Sequence, residues 1–68
     1  MEIEWLHDAE IRFQIRGGEA TLSANRAGLL SLAAQLTRLA EEAPGCHVHY
    51  DACNSLRNGS DELIVERA

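Results

Sequence analysis

His47, His49 and Asp51 stand two residues apart in Pro44-Gly45-Cys46-His47-Val48-His49-Tyr50-Asp51. On an extended strand that spacing puts all three on one face and leaves Cys46, Val48 and Tyr50 on the other. Two imidazoles on one strand face are ligands zinc accepts, and Glu66 could add a third while leaving a coordination position open. Asp51 does not fit that set. It lies four residues from His47, ~13 Å along a strand, whereas zinc ligands must converge within about 2.0–2.3 Å of one ion. The residues then allow a small metal-binding domain built on His47 and His49, or a solvated sheet face on which His47 pairs with Glu66. Glu62 with Asp51 could be a paired-carboxylate acid/base site, but on a sheet surface two such groups read as a charge clash relieved by twist or by a basic partner. No catalytic site and no cofactor are expected, because one helix and a few strands build no deep pocket. Arg12, Arg16 and Arg57 are scattered along the chain, and no glycine-rich nucleotide loop occurs.

The elements that position these residues follow from alternation and turn chemistry. Glu10 to Arg16 alternates polar and apolar, and Gly17-Gly18 supplies the positive φ angles of a two-residue hairpin turn. Folding back there sets Arg16 opposite Glu19, Ile15 opposite Ala20, Phe13 opposite Leu22 and Ile11 opposite Ala24, so every apolar residue meets an apolar one. Ile3 and Trp5 also alternate, predicting a further N-terminal strand that turns at His7-Asp8-Ala9. Asn25 is a suitable N-cap, and Leu29, Leu32, Ala33, Leu36, Leu39 and Ala40 recur at helical spacing, predicting a helix over 26–42 with that face inward. Pro44-Gly45 ends it, leaving Glu41 and Glu42 at the negative end of its dipole. A strand over 46–51 follows, then a turn at Asn58-Gly59-Ser60, then a last strand at Glu62 to Glu66. The simplest register sets Tyr50 against Leu63 and Val48 against Val65. It places His47 across from Glu66, His49 across from Ile64 and Asp51 across from Glu62. The expected fold is α+β. It has a mainly antiparallel sheet of four to five strands, in the order β-β-β-α-β-β, with one amphipathic helix packed on one face. Residues 1–68 form a single domain.

A chain of 68 residues and 7.5 kDa should expose roughly 4,200 Å² when folded against roughly 10,900 Å² extended. So small a core gains from a second chain over its open face, and a homodimer is one expectation. Eleven acidic residues against six basic ones give a net charge of −5. That balance argues against nucleic acid as a partner and suits a basic protein instead. Met1-Glu2-Ile3-Glu4 lacks the features of a signal peptide and no apolar run reaches membrane-spanning length, so a cytoplasmic location is expected. Cys46 and Cys53 are too far apart on an extended segment to bridge, and Cys46 is expected to be a small core residue. Trp5, the single tryptophan, reads as a core plug or an interface anchor.

Four local signatures between Leu22 and Glu66 resemble a group of small bacterial polymorphic-toxin immunity proteins, immunity protein family thirty-two. They are Ala24-Asn25-Arg26-Ala27-Gly28-Leu29-Leu30-Ser31-Leu32-Ala33, then Pro44 to Asp51, then Asn54-Ser55-Leu56, then Gly59-Ser60-Asp61-Glu62-Leu63-Ile64-Val65-Glu66. Ala52 departs from the family's pattern, which commonly carries an acidic residue after the position of Asp51. The resemblance implies a non-enzymatic α+β protein that binds the effector domain of a cognate toxin and protects the producing cell. His47, His49, Asp51, Glu62 and Glu66 are the candidate contacts.

Overall fold

The computed structural model describes residues 3–68. Met1 and Glu2, the start of the segment expected not to be a signal peptide, lie outside the described residues. In chain order the elements are β1 (Ile11–Arg16), β2 (Glu19–Ala24), α1 (Arg26–Ala40), β3 (His47–Tyr50) and β4 (Leu63–Glu66). The first hairpin has the register its apolar pairs dictate, from Ile11 opposite Ala24 to Arg16 opposite Glu19. Gly17 and Gly18 take φ of 57° and 81° at its turn, the left-handed geometry that matches the twist of a two-residue hairpin.

The expected single sheet of four to five strands is instead two antiparallel hairpins, β1-β2 and β3-β4. What lies between them is a turn-rich segment. The outer edge of β1 bonds to residues 57–61: Arg57 N donates to Ile11 O at 2.9 Å and Asp61 N to Phe13 O at 2.8 Å. Side chains complete the seam, with Phe13 N donating to Ser60 Oγ and Ile15 N to Asp61 Oδ2. Gly59 at φ 86° and the Asn-Gly-Ser turn keep this segment from forming a regular ladder, so its bonds to β1 are made one at a time rather than as a strand pair.

Among the described residues the predicted N-terminal strand does not form; residues 3–10 run as irregular chain with the expected turn at His7-Asp8, where Ala9 N donates to Leu6 O. They lie along α1 and tie to its side chains. Leu6 N donates to Ser31 Oγ at 2.9 Å, and Gln35 Nε2 donates to Glu4 O at 2.7 Å. A chain held by side-chain partners rather than by a strand neighbour has no ladder to extend.

This docking also turns the helix. Its buried residues are Gly28, Ser31, Leu32, Gln35 and Leu39, whereas Leu29, Ala33, Leu36 and Ala40, expected inward, are exposed. The helix begins as predicted, with Asn25 Oδ1 accepting from Gly28 N at 2.8 Å and also from Glu10 N. It ends at Ala40 rather than at 42, and Arg67 Nε donates to the Ala40 carbonyl, placing a cation at the negative end of the dipole. The core consists of Ile11, Phe13, Leu32, Leu39, Val48, Tyr50 and Leu56, with Ile3, Trp5, Ala24, Leu63 and Val65 packed against it. Trp5 meets Tyr50 edge-on at 6.1 Å between ring centroids. Among the described residues no helix is long and apolar enough to cross a membrane.

Candidate functional site

The second hairpin sorts its side chains by parity. Val48 and Tyr50 are buried while His47 and His49 are exposed, and on β4 Ile64 and Glu66 are exposed while Leu63 and Val65 turn inward. The register is His47 opposite Glu66, Val48 opposite Val65, His49 opposite Ile64 and Tyr50 opposite Leu63. One outward face therefore carries two imidazoles, an aliphatic side chain and a carboxylate. The imidazole rings lie edge to face at 4.9 Å. His47 Nδ1 is 3.2 Å from the Gly45 carbonyl oxygen, a contact that becomes a hydrogen bond when the proton is on Nδ1.

A bulge fixes where this face begins. Cys46 N donates to Ala43 O, closing a four-residue turn with Pro44 second and Gly45 third, and Gly45 takes the positive φ of 95° that such a turn favours. Gly45 N then donates to Arg67 O while Arg67 N donates to Cys46 O. Two residues thus oppose one, with glycine first. Regular alternation stops there, and Cys46 is exposed rather than in the core. Beside it, Leu39, Glu42, Pro44, Gly45, Cys46 and His47 line a shallow concavity at the end of the outward face.

Asp51 is outside the strand. Its Oδ1 accepts from Cys53 N at 2.9 Å and Asn54 N at 3.0 Å, and its carbonyl accepts from Ser55 N and Leu56 N. The carboxylate organises the turn that carries Leu56 into the core. Asn54 reinforces that turn, accepting from Asp51 N and donating to His49 O. The expected opposition of Asp51 and Glu62 does not form, because the ladder stops at Tyr50 and Leu63. Glu62 is exposed at the foot of β4.

The metal reading loses its third ligand. Among the described residues no group of three or more His, Cys, Asp or Glu side chains is arranged to hold an ion. Glu66 faces His47 in register, yet the ion pairs among the described residues are His7–Asp8 at 3.2 Å and Arg57–Glu10 at 2.8 Å. Cys46 and Cys53 are both free and exposed.

Two polar side chains hold the site from beneath: Tyr50, which strand parity places inward, and Gln35, which nothing in the sequence pattern marks. Tyr50, fully buried, donates from its hydroxyl to Gln35 Oε1 at 2.7 Å, and burial pushes its phenol above the usual value. Gln35 in turn holds the N-terminal segment through Glu4. A glutamine on a flank shared with Gly28 and Ser31 gave no hydrophobic periodic signal. Ile64 did give one, since the register that faced it with His49 already placed it outward.

Two hairpins and one helix share a core, and the outward face of one hairpin is open to solvent, an α+β arrangement. The family model for Immunity protein 32 matches residues 19–68, well over half of the chain, and the protein belongs to that family. No curated protein and no solved structure matches it significantly.

Proposed function

We propose that this chain neutralises a cognate bacterial toxin by binding the toxin's effector domain with the outward face of β3 and β4. Family membership supports the toxin-directed role. The single observation that supports the surface is the uncovered set of His47, His49, Ile64 and Glu66 on a hairpin whose other side is core. Ile64, 51% exposed, gives the face an apolar centre, and the imidazoles and Glu66 give it a polar rim, the division that protein interfaces use. Glu62 extends the acidic edge at the foot of β4. Asp51 contributes by fixing the adjoining turn. Binding occludes the toxin without chemistry by the immunity protein.

The acidic balance of the chain favours a basic partner, so association is faster at low salt. Co-expression of the chain with the toxin encoded beside its gene tests the proposal. The chain restores growth, and a His49→Ala/Ile64→Asp variant that keeps its circular dichroism spectrum loses protection. Unprotected cells holding stable, folded wild-type protein refute the role; full protection by the folded variant refutes this surface.

A further inference from the structure

The free edge of the first hairpin has a sequence that complements itself. Because Gly17-Gly18 forms a two-residue turn, the ladder bonds of β1 and β2 fall at Arg16 with Glu19, Gln14 with Thr21 and Arg12 with Ser23. On β1 four of the groups pointing the other way, Ile11 O, Phe13 N, Phe13 O and Ile15 N, are taken by residues 57–61. On β2 they belong to Ala20, Leu22 and Ala24, and no further backbone partner for them occurs among the described residues. Glu19 through Ser23 is exposed. The strand carries no proline, lysine or bulge to blunt its edge, and its one charge is Glu19 at the end.

We propose that β2 pairs antiparallel with β2 of a second copy about a two-fold axis at Leu22. In this register Leu22 faces the partner's Leu22, and Ala20 and Ala24 face the partner's Ala24 and Ala20. All are residues whose free backbone groups point outward, so each pair exchanges two hydrogen bonds. Thr21 faces the partner's Ser23, hydroxyl beside hydroxyl. Glu19 faces the partner's Asn25, which is extended at φ −76° and ψ 178°, and the partner's Arg26 follows at once. Each end of the ladder thus brings a carboxylate to the segment bearing a guanidinium, and no like charges meet. A register centred on Thr21 runs instead into Gly18, whose φ of 81° ends the strand.

The area agrees. The folded chain exposes 4748 Å², roughly 500 Å² more than the scaling for its mass. Two copies then hold an excess of roughly 1,000 Å², about the minimum that a specific interface must clear. Ile15 and Leu22, 56% and 39% exposed, lie on the face that buries Phe13 and give the region beside this edge apolar surface. An isologous pairing of this kind extends the first hairpin into a four-stranded sheet and leaves the β3-β4 face open.

Analytical ultracentrifugation of the protein alone tests this without reference to a toxin. The wild type sediments at twice its 7.5 kDa chain mass at high micromolar concentration. Leu22→Lys, which sets two ammonium groups at the axis, sediments at the single mass with an unchanged circular dichroism spectrum. On a Cys46→Ser/Cys53→Ser background, mild oxidation cross-links Leu22→Cys, whose Cα atoms would stand about 5.5 Å apart. It leaves Ala20→Cys uncross-linked, its copies being ~13 Å apart along the ladder. A monomeric wild type overturns the proposal, as does a folded Leu22→Lys that stays paired. Ala20→Cys cross-linking as fully as Leu22→Cys overturns the register, and the cysteine pair decides the matter should Leu22→Lys fail to fold.

Discussion

Tyr50 joins the two polar requirements of this small core. Its ring fills the space between Trp5 and the helix, and its hydroxyl gives Gln35 Oε1 a donor that nothing else in the core supplies. Tyr50→Phe keeps the ring and strands a buried amide oxygen, which costs about 1–3 kcal/mol and is read as a lower urea midpoint. The same burial raises the phenol's pKa above the 10.0 of the unfolded chain. The folded state therefore holds the proton where the unfolded state releases it. The contribution is fully present below pH 10.0 and is lost as pH rises through the folded value. Tyr50 is the only tyrosine, so tyrosinate absorbance follows it directly. Titration in the folded protein lags titration in urea, and the part of the alkaline stability loss due to Tyr50 vanishes in Tyr50→Phe. Coincident titration curves would count against this account. Tyr50 was legible as an inward residue from strand parity, and so was the outward pair His47 and His49. The commitment of Asp51 to its turn was not, because a carboxylate at a strand end reads the same whether it faces a partner or caps backbone amides.

Among the elements, the hairpin β1-β2 was readable to the last pair because turn chemistry and apolar matching agree there, and β3-β4 was readable because its simplest register sets Val48 against Val65 and Tyr50 against Leu63 on one face. The helix was readable in extent but not in rotation. Counting leucines selects the flank with Leu29 and Leu36, while the chain buries the flank with Gly28, Ser31 and Gln35. These three serve the backbone of other segments, a demand that hydrophobic periodicity does not register. Gly28 shows it most sharply. A Cβ there would stand 2.6 Å from the Glu10 carbonyl oxygen and 3.1 Å from Ala24 Cβ, so the helix approaches the hairpin closely only because the side chain is absent. Helix propensity alone predicts that Gly28→Ala stabilises the chain by about 1 kcal/mol. The clash, with backbone on the receiving side, predicts the opposite sign, a loss of about 1–3 kcal/mol. Chemical denaturation gives the sign directly, and a more stable variant would show that the helix can move away from Glu10 at little cost.

At the scale of the whole molecule, the difference between one sheet and two hairpins is a difference in what transmits stability. A continuous ladder would couple the hairpins through repeated backbone bonds. Here the seam is the segment 57–61, with two backbone and two side-chain hydrogen bonds to β1. A shared core containing Ile11 and Phe13 from one hairpin and Val48 and Tyr50 from the other supplements it. Composition signals the seam only as a turn, since Asn58, Gly59, Ser60 and Asp61 are the residues that loops use everywhere; that they also edge-pair β1 depends on the tertiary fold. The coupling has a direct readout, because Trp5 packs on Tyr50 of the second hairpin while Asp61 Oδ2 takes the Ile15 amide near the turn of the first. Asp61→Ala removes that acceptor at an exposed position, for a loss of about 0.5–1 kcal/mol. In a domain that unfolds as one unit, the loss reaches Trp5: its fluorescence midpoint in urea falls by the same amount as the midpoint from helical circular dichroism. A Trp5 midpoint that stays put while the Ile15 and Phe13 amides exchange faster would mean that the first hairpin opens on its own, with the core too small to bind the two halves into a single transition.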